Sequence, residues 1–233
     1  GEGFLLHDTE SGDSDRIIVF ATTENIKKLG DSTLWFADGT FKVFPLFYQV
    51  YTIHGFLHGT FVPLVFALLS NKTQSTYTRL FGVLRAHISH PCVKLIYTDF
   101  ELAAMKSFRN EFPGVRLQAR FFHLAQPVYR KVQEHHDLRQ RYDADANFSI
   151  RMLPALAFLP LGDVDAAFES LTEILPDEAM PIAAYFVDTY LGRRRGARRI
   201  SPVFAPSLWN VSEEVNQQLP RTNKSAEAWH RKF

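Results

Sequence analysis

TLWFADGTFKVF, residues 33–44, places one carboxylate and one glycine in the middle of an apolar, aromatic run. Two readings compete for Asp38-Gly39. Asp-Gly is among the strongest two-residue hairpin signals, so the run can break there into two short strands. Otherwise the strand continues, and Asp38 is a carboxylate inside a sheet, a position that costs desolvation and suits a rigid metal ligand. The choice depends on whether other carboxylates stand where the chain folds back.

Outward from this stretch, LFYQVYTIH and TFVPLVFALLS are two further strand-like runs joined by HGFLHG, whose glycines suit a tight antiparallel reversal. Pro45 marks the corner before them. TQSTYTRLFGVLRAHI places Tyr77, Leu80, Phe81, Leu84 and Ile88 on one helical face. VKLIYTDF is a short, continuous apolar run, the pattern of a strand covered on both faces. ELAAMKSFRNEF returns to helical spacing through Leu102, Met105 and Phe108, and Pro113-Gly114 stops it. VRLQARFFHL is a fifth strand candidate. The order of strands and helices predicts a mixed sheet, antiparallel first and then entered by parallel crossovers.

On the N-terminal side, residues 1–30 read as a strand, a polar turn, a second strand (RIIVFAT) and a short helix. Residues 31–125 form the α/β core, and 126–217 are helical in pattern with too few strands to extend the sheet. Residues 218–233 begin a last helix after Pro220. The acidic start, GEGFLLHDTESGDSD, is unlike a signal peptide and reads as a cut in a longer chain. The 233 residues, 46% hydrophobic with 21 Phe, suffice for one aromatic-rich core and a further lobe. A net charge of +1 means that nucleic-acid affinity must come from local patches. The single Cys92 excludes an internal disulfide framework and a cysteine zinc site, and it fits a reducing, intracellular setting. No apolar run is long enough to cross a bilayer.

Two further acids matter. Asp99, in LIYTDFELAAM, sits where a buried strand gives way to a helix, which fits a helix N-cap. Strand ends are also where open sheets place functional groups. Glu227, in RTNKSAEAWHRKF, reads either as a first-turn glutamate favoured by the helix dipole or as a third functional acid.

STLWFADGTFKVFPLFYQVYTIHG, YTDFELAAMKSFRNEFPGVRLQARFFHLAQ and RTNKSAEAWHRKF together resemble the catalytic core of Mutator-like (MULE) transposases, over a span from Arg16 to Phe233. The resemblance implies an RNase H-like fold: a mixed five-stranded sheet flanked by helices, with an all-helical insertion before the last helix. It also implies an Asp-Asp-Glu triad of Asp38, Asp99 and Glu227 binding two Mg²⁺ or Mn²⁺ ions. Hard divalent ions take carboxylate oxygens, which explains two Asp and a Glu. A pair of them activates both the attacking and leaving oxygens of a phosphodiester. The implied function is cut-and-paste DNA transposition, in which hydrolysis frees a 3′-hydroxyl that then attacks target DNA. The alternative is a domesticated, catalytically weak or inactive relative acting as a DNA-bound regulator.

The chain departs from the family pattern at two places. The family's Cys-x-x-His pair reads RFFH here, so His123 is kept and Arg120 stands at the cysteine position; both are candidates to support the acids without holding the ions. The family's TNN reads TNK, which places Lys224 as a DNA contact. GRRRGARR offers Arg193, Arg194, Arg195, Arg198 and Arg199 for phosphate contact, or a nuclear-import signal or a solvated loop. Arg130, Lys131, Arg139 and Arg141 would extend that surface. The expected partners are double-stranded DNA (element ends and target) and further copies of the chain, in the nucleus and away from membranes.

Overall fold

The computed structural model describes residues 3–44, 46–145, 148–196 and 198–216 (of 42–44 the backbone only). Seven strands form one sheet: β1 Leu5–Asp8, β2 Ile17–Phe20, β3 Leu34–Phe44, β4 Phe47–Leu57, β5 Thr60–Leu69, β6 Leu95–Thr98 and β7 Arg116–Ala119. Their order across the sheet is β1-β2-β5-β4-β3-β6-β7. The helices among them are α1 Thr23–Asp31, α2 Gln74–His87 and α3 Leu102–Glu111.

Asp38-Gly39 is strand, not turn. β3 pairs antiparallel with β4 straight through it, with Asp38 opposite Thr52 and Gly39 opposite Tyr51. The reversal between β4 and β5 falls instead at His58-Gly59, both with positive φ (48° and 83°). Two successive left-handed residues match the twist of a two-residue hairpin, and Gly59 adopts that conformation without a Cβ penalty. β3 then pairs parallel with β6 through α2, the crossover predicted from the order of elements.

Tyr77, Leu80, Phe81, Leu84 and Ile88 are all buried, as their helical spacing predicts. Phe81 stacks on Phe108 of α3 with ring centroids 3.8 Å apart, and Thr78 Oγ1 meets Ser107 Oγ at 2.9 Å. α3 buries Ala104, Met105 and Phe108, while Leu102, expected on that face, is 43% exposed at the helix start. Trp35 is fully buried in β3 and packs edge-on against Phe112.

Strand order β5-β4-β3-β6-β7, with an antiparallel meander followed by a parallel crossover, is the RNase H-like arrangement. The N-terminal strands lengthen it: β1 pairs with β2, and β2 with β5, so the sheet has seven strands where five were expected of the core. One boundary needs correction. The fifth core strand ends at Ala119, and the apolar run continuing through Phe121 and Phe122 opens helix α4, Phe121–Gln133. An apolar run by itself does not separate a strand from a buried helix turn.

The described residues divide into two compact units, 3–118 and 119–216. The second holds α4, α5 His136–Ala144, α6 Met152–Ala155, α7 Val164–Ile174 and α8 Met180–Phe186, which runs on into a π-helical turn at Val187–Leu191. Its centre is aromatic: buried Trp209 lies against Phe186 and Tyr190, and its Nε1 donates to the carbonyls of Tyr190 and Phe204. The segment with the arginine cluster forms a small hairpin, β8 Arg194–Arg195 and β9 Arg198–Arg199. No described helix is long and apolar enough to cross a membrane.

Candidate active site

Strand register relates the two aspartates. Each paired residue of β6 stands 61 positions after its β3 partner, as in Leu34 with Leu95 and Phe36 with Tyr97. Asp99 stands the same 61 positions after Asp38, two positions beyond the last pair of that ladder, with Asp38 inside β3 and Asp99 one residue past the end of β6. Paired residues in a parallel ladder share a face, and Phe36 and Asp38 lie on the same side of β3. Asp38 is half-buried, in a strand flanked on both sides by β4 and β6.

Thr52 lies across from Asp38 on the same face, fully buried, and its hydroxyl has no hydrogen-bond partner among the described residues. Asp99 is not a helix cap. α3 begins only at Leu102, with Glu101 at the cap position and making no side-chain cap bond. The segment between strand and helix is instead tightened by the Glu101 amide donating to the Asp99 carbonyl at 2.8 Å.

The opposite face of the same strands carries a buried polar group that the sequence reading passed over. Glu101 Oε2 accepts from Tyr77 Oη at 2.8 Å, and Gln49 Nε2 donates to that same hydroxyl at 2.7 Å. Burial raises the Glu101 carboxyl above its usual range, against the Tyr77 hydrogen bond and the nearby Lys72 charge, which pull it down. Tyr51 is pushed well above the usual phenol range by burial, by neighbouring Tyr77 and by the negative charges of Asp99 and Glu101. The available signal for Glu101 was its place beside Asp99, two residues past a strand, which also suits an ordinary helix start.

Arg120 is the residue before α4, and the His123 amide donates to its carbonyl at 3.0 Å, so RFFH is a helix entry instead of a strand end. Both belong to the second unit. Glu227 and Lys224 lie outside the described residues. No group of three His, Cys, Asp or Glu able to hold a metal is found among the described residues. Asp38 and Asp99 are two carboxylates, short of such a group.

Three of the five clustered arginines are ion-paired within their own unit. Arg193 grips Asp188, while Arg194 and Arg199 both reach Asp165, at 3.2 and 2.6 Å. Arg195 and Arg198 are exposed and have no acidic partner among the described residues. Lys131 pairs with Glu134 and Arg139 with Asp143, so that face too is partly neutralised.

Comparison with known proteins gives a family match over the core. Residues 34–127 match the model of the MULE transposase domain. No curated protein matches. Among matching solved structures is a chain of the cryo-EM structure of the simian T-cell lymphotropic virus intasome in complex with PP2A regulatory subunit B56 gamma. It is 14% identical with a TM-score of 0.30, and the match covers 73% of this chain and 53% of that one. The present chain thus spans about half the length of that relative, and the fold assignment rests on strand order instead. The matched segment runs from the first residue of β3 into the second turn of α4, and it takes in both Asp38 and Asp99.

Proposed function

We propose that this chain is the catalytic domain of a DNA transposase, cutting and rejoining phosphodiesters with divalent cations held by Asp38 and Asp99 and completed by Glu227. The observation that carries the reading is the shared 61-residue offset: Asp38 in β3 and Asp99, just past β6, each stand two positions beyond the paired Phe36 and Tyr97 of these adjacent strands. The donor set fits Mg²⁺ or Mn²⁺: carboxylate oxygens, and a buried Thr52 hydroxyl across from Asp38 that has no partner among the described residues. When bound, such ions balance the charge on the scissile phosphate and activate its attacking and leaving oxygens. The protein's own contribution is rigidity. Asp38 cannot shift without disturbing the β3–β4 ladder, in which it pairs with Thr52, so its oxygens stay in place through the reaction.

DNA is the proposed substrate, as the family's name implies, and Arg195 and Arg198 are the proposed phosphate contacts of the second unit, with Lys224 near the triad glutamate in sequence. Arg193, Arg194 and Arg199 are proposed to reach phosphate only by exchanging their carboxylate partners. Arg120 and His123 are proposed to support the site without holding the ions. Assembly into dimers or larger complexes and a nuclear location complete the reading.

Asp38→Asn is the decisive test. It keeps the shape of the strand and removes the charge. We expect Mg²⁺-dependent nicking of duplex DNA to fall to background while Tm stays within a few degrees of wild type. Metal-dependent cleavage by the folded variant would overturn the assignment. DNA binding without cleavage by the wild-type chain would favour a transposase-derived regulator.

A further inference from the structure

We propose that Glu101, Tyr77 and Gln49 form a positioning relay that holds the Asp99 segment in register beside Asp38. The inference rests on the metal-site reading for its functional meaning, and on geometry for its existence. Asp99 lies just beyond the last residue of β6, so no β-ladder fixes it directly. Its backbone is tied to Glu101 through the 2.8 Å amide–carbonyl bond, so a hold on Glu101 restrains Asp99.

Glu101 is fixed by Tyr77. That ring is fully buried, stacked on Phe81 and set edge-on to Tyr51 at 5.2 Å, so its hydroxyl has little freedom to move. Both hydrogen-bonding functions of the hydroxyl are used: it donates to Glu101 Oε2 and accepts from Gln49 Nε2. Gln49 is 1% exposed in β4, and its Oε1 occupies the space over Gly39, where an added Cβ would come within 2.6 Å of it. Gly39 is the residue after Asp38. The relay therefore runs from the Asp99 segment through α2 and β4 to the backbone next to Asp38.

Two other roles for Glu101 fail on the geometry. It stands at the cap position of α3 but makes no cap hydrogen bond. As a third ligand it would have to join Asp38, yet its carboxylate meets Tyr77 on the Gly39–Tyr51 face, whereas Asp38 and Thr52 share the other face. Glu101 is a positioning residue that acts through Asp99.

The test uses the full chain with two readouts: deuterium exchange of the segment 97–103 without metal, and Mn²⁺ affinity by electron paramagnetic resonance. Tyr77→Phe keeps the packed ring and breaks the relay. Exchange of 97–103 should rise about tenfold, and Mn²⁺ affinity should fall about tenfold, the usual cost of losing a partner that orients a ligand. Glu101→Ala should behave the same way. Glu101→Gln retains an acceptor for Tyr77 and should stay close to wild type in both. Leu84→Ala, a cavity in the same helix, should lower stability yet leave Mn²⁺ affinity alone.

Unchanged exchange at 97–103 in both Tyr77→Phe and Glu101→Ala would overturn the relay. So would a Glu101→Gln variant as impaired as Glu101→Ala, since charge would then matter and position would not. A wild-type chain that binds no Mn²⁺, with the exchange pattern as expected, would refute the metal reading and leave the relay standing.

Discussion

Replacing Gly39 by alanine puts a number on why an Asp-Gly pair sits inside a strand. Alanine is favoured over glycine in a strand interior by about 0.5–1 kcal/mol, because glycine loses more backbone freedom on folding. At this position the new Cβ would stand 2.6 Å from Gln49 Oε1, and a side-chain amide is the part that must give. Once displaced, Gln49 loses its 2.7 Å bond to the Tyr77 hydroxyl. A buried polar group left without its partner costs about 1–3 kcal/mol. The expected net loss is about 1–2 kcal/mol, or roughly 2–8 °C in Tm for a chain of this size. Urea or thermal unfolding of a double-mutant cycle with Gln49→Ala is the assay. In the Gln49→Ala background nothing opposes the alanine, and Gly39→Ala should be neutral or stabilising by up to about 1 kcal/mol. Equal destabilisation in both backgrounds would refute the reasoning, as would a stabilised single variant.

Further predictions concern the arginine hairpin and the N-terminal strands. Replacing both Arg195 and Arg198 by alanine should weaken duplex DNA binding and reduce the slope of log K against log salt by about 1.8, two released counterions' worth. An unchanged slope would remove them from the interface. Arg194→Ala should have a smaller effect, because that guanidinium is already engaged by Asp165 and Glu169. Acid should loosen the β1–β2 hairpin. The Arg16 guanidinium, bonded to Asp8 at 2.9 and 2.7 Å, together with the Glu10 amide, holds the Asp8 carboxyl down at about 2. A depressed carboxyl stabilises the fold above its unfolded value near pH 3.8 and loses that contribution as pH falls towards 2. Asp8→Asn should therefore be less stable than wild type at neutral pH, by a small amount since the pair is partly exposed, and the gap should close in acid. A gap constant down to pH 2 would mean the carboxylate contributes nothing.

The face of α2 was legible because Tyr77, Leu80, Phe81, Leu84 and Ile88 recur at the helical period, which depends on local geometry alone. The β4–β5 reversal was legible from its glycines, although only the backbone shows that His58-Gly59 makes the turn while Gly55 stays in the strand. RFFH misled as a strand end, because apolar residues suit a covered strand and a buried helix turn alike. The arginine cluster read as a free basic loop, since its carboxylate partners Asp165 and Asp188 lie 29 and 5 residues from the arginines they bind.

Asp38-Gly39 marks the limit most clearly. The amino-acid order by itself determined which residue types were available: two aspartates at apolar strand positions, a glycine between aromatic neighbours, an amphipathic helix between strands. Tertiary structure alone decided what they do. Strand or turn at Gly39 depends on β4 lying alongside, and the placing of Asp99 relative to Asp38 depends on the parallel register of β3 with β6. Glu101 meets Tyr77, and Tyr77 meets Gln49, only because α2 and β4 bring those side chains together. Propensities act over a few residues, whereas register, burial and shared hydrogen bonds arise between segments that the chain brings together only on folding.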